Sequence, residues 1–334
     1  MQKQVRLPYI DIAKGAAMLL VIIGHCSYSP MGLIGWLYSF HMPLFFALSG
    51  FTFRPEKYRN LRALLAEKAR TLLVPYFALC LIVWALCLLL LDGMQLESRH
   101  VNELIGIVLS KRLSKYFFNL WFLTVLFLGQ PLLWIILKAA RGKKRIILLA
   151  AAAAYVLGAF VVRHVKGTYW SADLVPIALC FLLLGYALRA WMNRHPACGA
   201  KPLALLWGLN LLFFYLNYAQ VGRSDLYYCK LGNPLFFLIA ACSGVIGSIL
   251  LCRRVGRCAP LAWIGKNSLA FYAFEALTIP LSEQLIRLVF PSVSTPSIPA
   301  LFAVLLLSCA MMAAFSIFIN RFCPCILGKS ARHA

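Results

Sequence analysis

Residues 7–28 read LPYIDIAKGAAMLLVIIGHCSY. The run is apolar over the roughly 20 residues that a helix needs to cross a bilayer core, yet it contains Asp11, Lys14 and His25. At 3.6 residues per turn, Lys14 and His25 fall about 20° apart on one face and about 16 Å apart along the axis. Asp11, three residues before Lys14, belongs to the same stripe. Ionisable groups inside a membrane are costly and by default mark function. Lys3 and Arg6 ahead of the run give it the look of a signal peptide. However, Asp11 and Lys14 interrupt it and no small-x-small cleavage site follows, so it reads as an uncleaved first helix.

The rest of the chain extends this reading. Of its 334 residues 62% are hydrophobic and 13% charged, about half the charge of a soluble domain. The formal charge of +23 would suggest nucleic acid in a soluble protein; beside long apolar runs it reads as membrane topology, and nucleic acid is not expected as a partner. Ten spans are predicted, near 7–28, 33–53, 71–91, 116–137, 146–162, 174–192, 203–218, 233–251, 261–286 and 298–322. The second is interrupted by Pro43 and Gly50, the ninth by Lys266, Glu275 and Pro280. Of the 33 Lys and Arg, 24 fall in the termini and the even-numbered loops and nine in the intervening ones. Basic residues concentrate on the cytoplasmic side, so both termini are expected there. The expected fold is an all-α, polytopic transmembrane bundle, residues 1–334 forming one integral domain of the cell (cytoplasmic) membrane, with lipid as its surroundings. The sequence does not speak to oligomeric state.

Six of the twelve Cys lie inside predicted spans, where a free thiol behaves as a small apolar side chain. Cys323-Pro-Cys325 lacks the further ligands a metal site needs, and no metal is expected.

The remaining candidates are polar residues in or beside spans. His41 precedes Pro43 in the interrupted second span, with Ser49 further along. Non-helical backbone at membrane depth is tolerated where it faces protein or a cavity; a Pro-kinked helix with His41 bonded to a backbone carbonyl fits the same residues. Arg70 opens the third span, as a membrane-surface anchor or as an anion contact of the kind that binds phosphates in bidentate fashion. Asn119 and Trp121 begin the fourth and also suit an aromatic-belt anchor. In the ninth, Asn267 follows Lys266, and Glu275 lies about two and a half turns deep, where a carboxylate needs an Arg, Lys or His partner.

Taken together, Tyr9-Ile-Asp11-Ile-Ala-Lys14-Gly15, Gly24-His25, Phe40-His41-Met42-Pro43-Leu44-Phe45-Phe46, Ser49-Gly50-Phe51, Arg70, Pro75-Tyr76, Trp121-Phe-Leu, Phe181-Leu-Leu-Leu-Gly185-Tyr186 and Gly265-Lys266-Asn267-Ser268 resemble the integral-membrane acyltransferase-3 family, in particular its fucose 4-O-acetylase-like branch. Lys14 stands where many members carry arginine, and Glu275 where many carry histidine. The resemblance implies an O-acetyltransferase that moves acetyl from cytoplasmic acetyl-CoA, a co-substrate rather than a bound cofactor, to a hydroxyl of a cell-surface or lipid-linked carbohydrate.

On that basis His25 is expected to act as general base on the acceptor hydroxyl, with Asp11 orienting Lys14. Lys14 and Arg70 would hold the donor's phosphates, and His41 and Ser49 would donate to the oxyanion or support His25. Trp121, Asn267 and Glu275 complete the substrate-binding candidates. The competing class is a transporter or flippase of a glycan or small polar solute, which also uses broken helices and buried charges. Inverted repeats would favour it, and hydropathy shows none. A structural subunit of an envelope complex leaves the intramembrane charges without a purpose.

Overall fold

The computed structural model describes residues 7–90, 98–110, 112, 120–165, 167–195, 199–293 and 295–329; Asn119, Lys3 and Arg6 lie outside the described residues. The described residues form α1 (Pro8–His25), α2 (Met31–Tyr38), α3 (His41–Thr52), α4 (Leu61–Lys68), α5 (Val74–Leu90), α6 (Ser98–Leu109), α7 (Trp121–Ala140), α8 (Lys144–His164), α9 (Val175–Met192), α10 (Ala200–Val221), α11 (Pro234–Val255), α12 (Ala259–Lys266), α13 (Ser268–Val289) and α14 (Ile298–Phe322). Among them, nine helical stretches are long and apolar enough to cross a membrane, with α2–α3 and α4–α5 each counted as one. The 22-residue α13 has the length as well, but carries Glu275, Glu283 and Arg287. The expected polytopic helical bundle is therefore what the chain forms.

The helices touch where side chains are absent. A methyl group on Gly15 of α1 would lie 1.9 Å from Leu261 O, and one on Gly265 of α12 would lie 1.8 Å from Asp11 O. Gly50 of α3 and Gly185 of α9 make the same reciprocal contact, 1.9 Å from Leu182 O and Ala47 O respectively. Apolar side chains gain little by leaving lipid for protein, so small residues that let backbones approach are what lock membrane helices together.

These contacts fix the direction of the chain. Ser297 N donates to Tyr28 O at 3.1 Å, so α14 begins beside the end of α1. Near its other end Asn320 Nδ2 donates to Asn267 Oδ1 at 3.0 Å, two residues past the Gly265 contact. The helices α1 and α14 thus run oppositely, and both ends of the described chain lie at one end of the bundle, hereafter the Lys14 end. The opposite end is the His25 end.

Three local expectations change. The second span breaks at Ser39–Phe40, where Phe40 leaves helical geometry (φ −146°, ψ −16°). Pro43 then sits in the first turn of α3, where its missing N–H costs nothing, and Gly50 serves as a contact point inside the helix. The ninth bends at Asn267 (φ −109°, ψ 11°), while Glu275 and Pro280 lie within continuous α13. Residues 98–109, read as part of a loop, form α6, and Tyr76 OH donates to Ile107 O at 2.8 Å to hold it against α5.

Candidate active site

Helices α1 and α13 run side by side in the same direction. Ten residues beyond the Gly15–Gly265 contact, about 15 Å along each axis, stand His25 and Glu275. The imidazole Nδ1 of His25 is 3.2 Å from Glu275 Oε1; the glutamate side chain is fully buried and the histidine 22% exposed. A carboxylate this deep is tolerable because its partner is beside it. His25 is the last residue of α1, and the chain after it is held by a second α13 glutamate. Glu283 accepts from Ser27 N at 2.6 Å and from Ser27 Oγ at 2.9 Å.

The break between α2 and α3 brings in His41. Its Nδ1 is 2.8 Å from Leu37 O, a carbonyl that also accepts from Phe40 N at 3.2 Å in the tightened turn at the break. A carbonyl only accepts, so Nδ1 carries the proton and the neutral ring offers Nε2 as an acceptor. Tyr38 stands between the two histidines, its ring centroid 6.2 Å from that of His25 and 4.7 Å from that of His41.

These side chains line a cavity of about 130 Å³ at the His25 end, together with Trp121, Tyr272 and the segment Arg223–Tyr228 between α10 and α11. Arg223 Nη2 is 3.0 Å from Asp225 Oδ2, and its guanidinium lies 4.6 Å above the Tyr38 ring. Burial pushes the Asp225 carboxyl up, with Arg223 opposing the shift. The segment is pinned from behind. Arg112 pairs with Asp173 and reaches Cys229 Sγ at 3.3 Å, while burial pushes the Cys229 thiol up to about 11.

The sequence-derived residues divide between the two ends. His25, His41 and Trp121 line the cavity, and Glu275, fully buried, stands behind His25. Glu275 therefore belongs with the histidine rather than apart from it as a separate substrate contact. Asp11 is buried and Lys14 half-buried in the first turns of α1, away from the cavity. Ser49 Oγ accepts from Gln130 Nε2 at 2.9 Å and lies about 12 Å along α3 from His41, so the structure does not bring it to His25. Arg70 is exposed in a π-helical turn, Ala69–Leu73, its backbone against Gly328 at the Lys14 end. Asn267 is bonded to Asn320, also at that end. An open polar recess of about 380 Å³ there is lined by Arg54, Glu56, Tyr186 and Arg189.

Sequence reading missed Tyr38, Tyr272, Arg223 and Asp225. The pair Arg223-Ser-Asp225 followed by two tyrosines was the available signal, a charged aromatic cluster in a short loop; by charge counting alone it registers only as topology.

The family model described as an acyltransferase domain, acyltransferase-3, matches residues 7–319, nearly the whole described chain. The chain belongs to the acyltransferase-3 family. It is a multi-pass membrane acyltransferase, transferring groups other than aminoacyl groups. No curated protein and no solved structure matches it. Within this acyltransferase the histidine–glutamate pair beside an open cavity is an arrangement suited to taking a proton from a hydroxyl. The glutamate fixes the ring from one nitrogen, which leaves the other for the substrate.

Proposed function

We propose that this acyltransferase moves an acyl group, acetyl by preference, from acyl-CoA supplied at the cytoplasmic Lys14 end to a hydroxyl of a cell-surface or lipid-linked carbohydrate at the His25 end. The observation that carries the reading is His25 opening onto the cavity with Glu275 buried against its Nδ1. The charge distribution supports the orientation: 24 of 33 basic residues fall on the side assigned to the cytoplasm, as positive-inside topology requires, and that favours the cell membrane as its location. Lys14, Arg70, Arg54 and Arg189 supply cations at the end where a polyanionic donor arrives. The donor's reactive thioester then has to reach about 16 Å up the bundle from Lys14 to His25, a task for the long pantetheine arm of coenzyme A.

In the transfer step His25 Nδ1–H faces Glu275 and Nε2 takes the proton of the acceptor hydroxyl. The hydroxyl oxygen bonds to the thioester carbonyl carbon, the carbon–sulfur bond breaks, and the departing thiolate receives the proton from Nε2. Glu275 steadies the imidazolium that forms between those events. Neutral His41, with its proton committed to Leu37 O, accepts a hydrogen bond from a neighbouring hydroxyl of the acceptor and cannot donate to the oxyanion.

The test is reconstitution of the full chain in liposomes with labelled acetyl-CoA and a panel of cell-surface glycans. The wild type is expected to label a glycan, with His25→Ala reducing turnover by about 10³-fold. Near-normal labelling by the alanine variant would sink the mechanism, and solute flux without thioester cleavage would assign the protein to transport.

A further inference from the structure

The wall formed by Arg223–Tyr228 has no part in the proton transfer just described, yet it is held by a dense set of bonds. Asp225 and Lys230 exchange both backbone hydrogen bonds, at 2.6 and 2.8 Å, and Tyr227 N donates to Asp225 Oδ1 at 3.0 Å. Asn217 Nδ2 donates to Ser224 Oγ and to Leu231 O, each at 2.8 Å. With the Arg112–Asp173–Cys229 cluster behind it, the wall is fixed before any ligand arrives, and pre-organisation of this kind is what selective sites require.

Its charges are matched within itself. The Arg223 cation is paired with Asp225 and lies over the Tyr38 ring. Behind His25, off the cavity surface, is the buried carboxylate of Glu275. With His25 neutral, as a base must be, the lining Arg223 and Asp225 cancel and the buried Glu275 behind His25 leaves one negative charge next to the cavity. Of the lining groups, the ring nitrogens of His25 and His41 left free by Glu275 and Leu37 O and the Asp225 carboxylate are acceptors, and the four tyrosine hydroxyls both donate and accept. Such a surface suits a ligand that brings O–H donors. A carboxylate-bearing ligand brings none at that position and would have to compete with Asp225 for the guanidinium. Tyr38, Tyr227, Tyr228, Trp121 and Tyr272 add aromatic surface for the apolar face of a ring.

We propose that this wall is the acceptor subsite and that it selects an uncharged ring bearing adjacent hydroxyls over the corresponding acidic sugar. The proposal rests on the acyltransferase reading above and deepens it. Arg223 donates to the ring oxygens, Asp225 holds the guanidinium over Tyr38, and the Glu275 charge behind His25 disfavours uronates.

The experiment uses the full chain in lipid nanodiscs and reads quenching of tryptophan fluorescence, since Trp121 lines the cavity. The probes are p-nitrophenyl glucoside, galactoside and mannoside and their three uronides. At least one neutral glycoside is expected to bind about 10-fold more tightly than its uronide, or better. Asp225→Asn is expected to bring that ratio toward one by improving the uronide. A uronide that binds wild type as well as its neutral partner, or a panel in which no neutral glycoside binds, overturns the proposal. The wild-type ratio stands on its own if the Asn variant does not fold. Thioester cleavage measured on the same nanodiscs separates the two readings. Cleavage that depends on His25 with no neutral preference defeats the subsite alone, whereas cleavage indifferent to His25→Ala defeats the mechanism and leaves the binding ratio to judge the subsite.

Discussion

The two ends of α1 put one pair of helices to opposite uses. At the Lys14 end Gly15 and Gly265 let α1 and α12 touch backbone to backbone, with no room for even a methyl group. At the His25 end the continuation of the same pair separates enough to hold an imidazole and a carboxylate 3.2 Å apart, beside an open cavity. The first contact sets the register and the second exploits it, since two near-parallel helices that match at Gly15–Gly265 also match ten residues later. The chemistry at one end is therefore only as good as the packing at the other.

The sharpest way to separate the two ends is to damage each alone. Glu275→Gln keeps the shape of the side chain and removes its charge. Turnover is expected to fall about 10²-fold, within the range that general-base catalysis supplies, while thermal unfolding in detergent stays close to wild type. Equal losses of activity and folded protein would show that the pair is structural. Gly265→Ala makes the reverse cut. Its methyl group would stand 1.8 Å from Asp11 O, and forcing helices apart typically costs about 1–3 kcal/mol. A lowered unfolding temperature is expected, with a roughly 10-fold loss of turnover in the molecules that fold, because His25 and Glu275 no longer meet. A Gly265→Ala protein as stable and active as wild type would break the link between packing and register.

This contrast also explains what the sequence could reveal. Helical spans follow from apolar length, and the charge split follows from the loops, so a bundle was legible from local properties alone. The stripe of Asp11, Lys14 and His25 was legible too, because one helix has one period. Yet the stripe serves two purposes, with Asp11 beside a packing contact and His25 in the cavity, and period cannot tell these apart. That Glu275 needed a buried partner was readable from its depth. Which histidine it would meet, far along the chain, depended on glycine contacts that carry no polar signal. Ser49 shows the same limit. Its place near His41 in sequence suggested a shared site, but eight residues of helix carry it about 12 Å away, to Gln130. The wall at Arg223 and Asp225 was hidden for a different reason: its residues come from a short loop whose local composition suggests only topology.

Glu283 tests how far the division between packing and chemistry extends along α13. It lies eight residues, about 12 Å, beyond Glu275 and does not line the cavity. Both of its oxygens are taken by Ser27, from the backbone N–H at 2.6 Å and from the hydroxyl at 2.9 Å. The segment that it holds begins two residues after His25, in the turn that Cys26 N and Ser29 Oγ tie back to Ile23 O. Its expected role is to position His25. Glu283→Gln retains one acceptor oxygen and loses the charge, and charge-assisted bonds of this kind contribute about 1.5–3 kcal/mol. Only part of that is lost with an acceptor remaining, so a roughly 3- to 10-fold fall in kcat is expected, with KM for the acceptor little changed because the Arg223 wall is untouched. Glu283→Ala should fall further, and Glu283→Asp should not restore activity because its shorter side chain cannot reach both donors. A role limited to stability would lower the unfolding temperature of all three variants without changing kcat in the folded fraction, and that result would confine α13's part in the chemistry to Glu275.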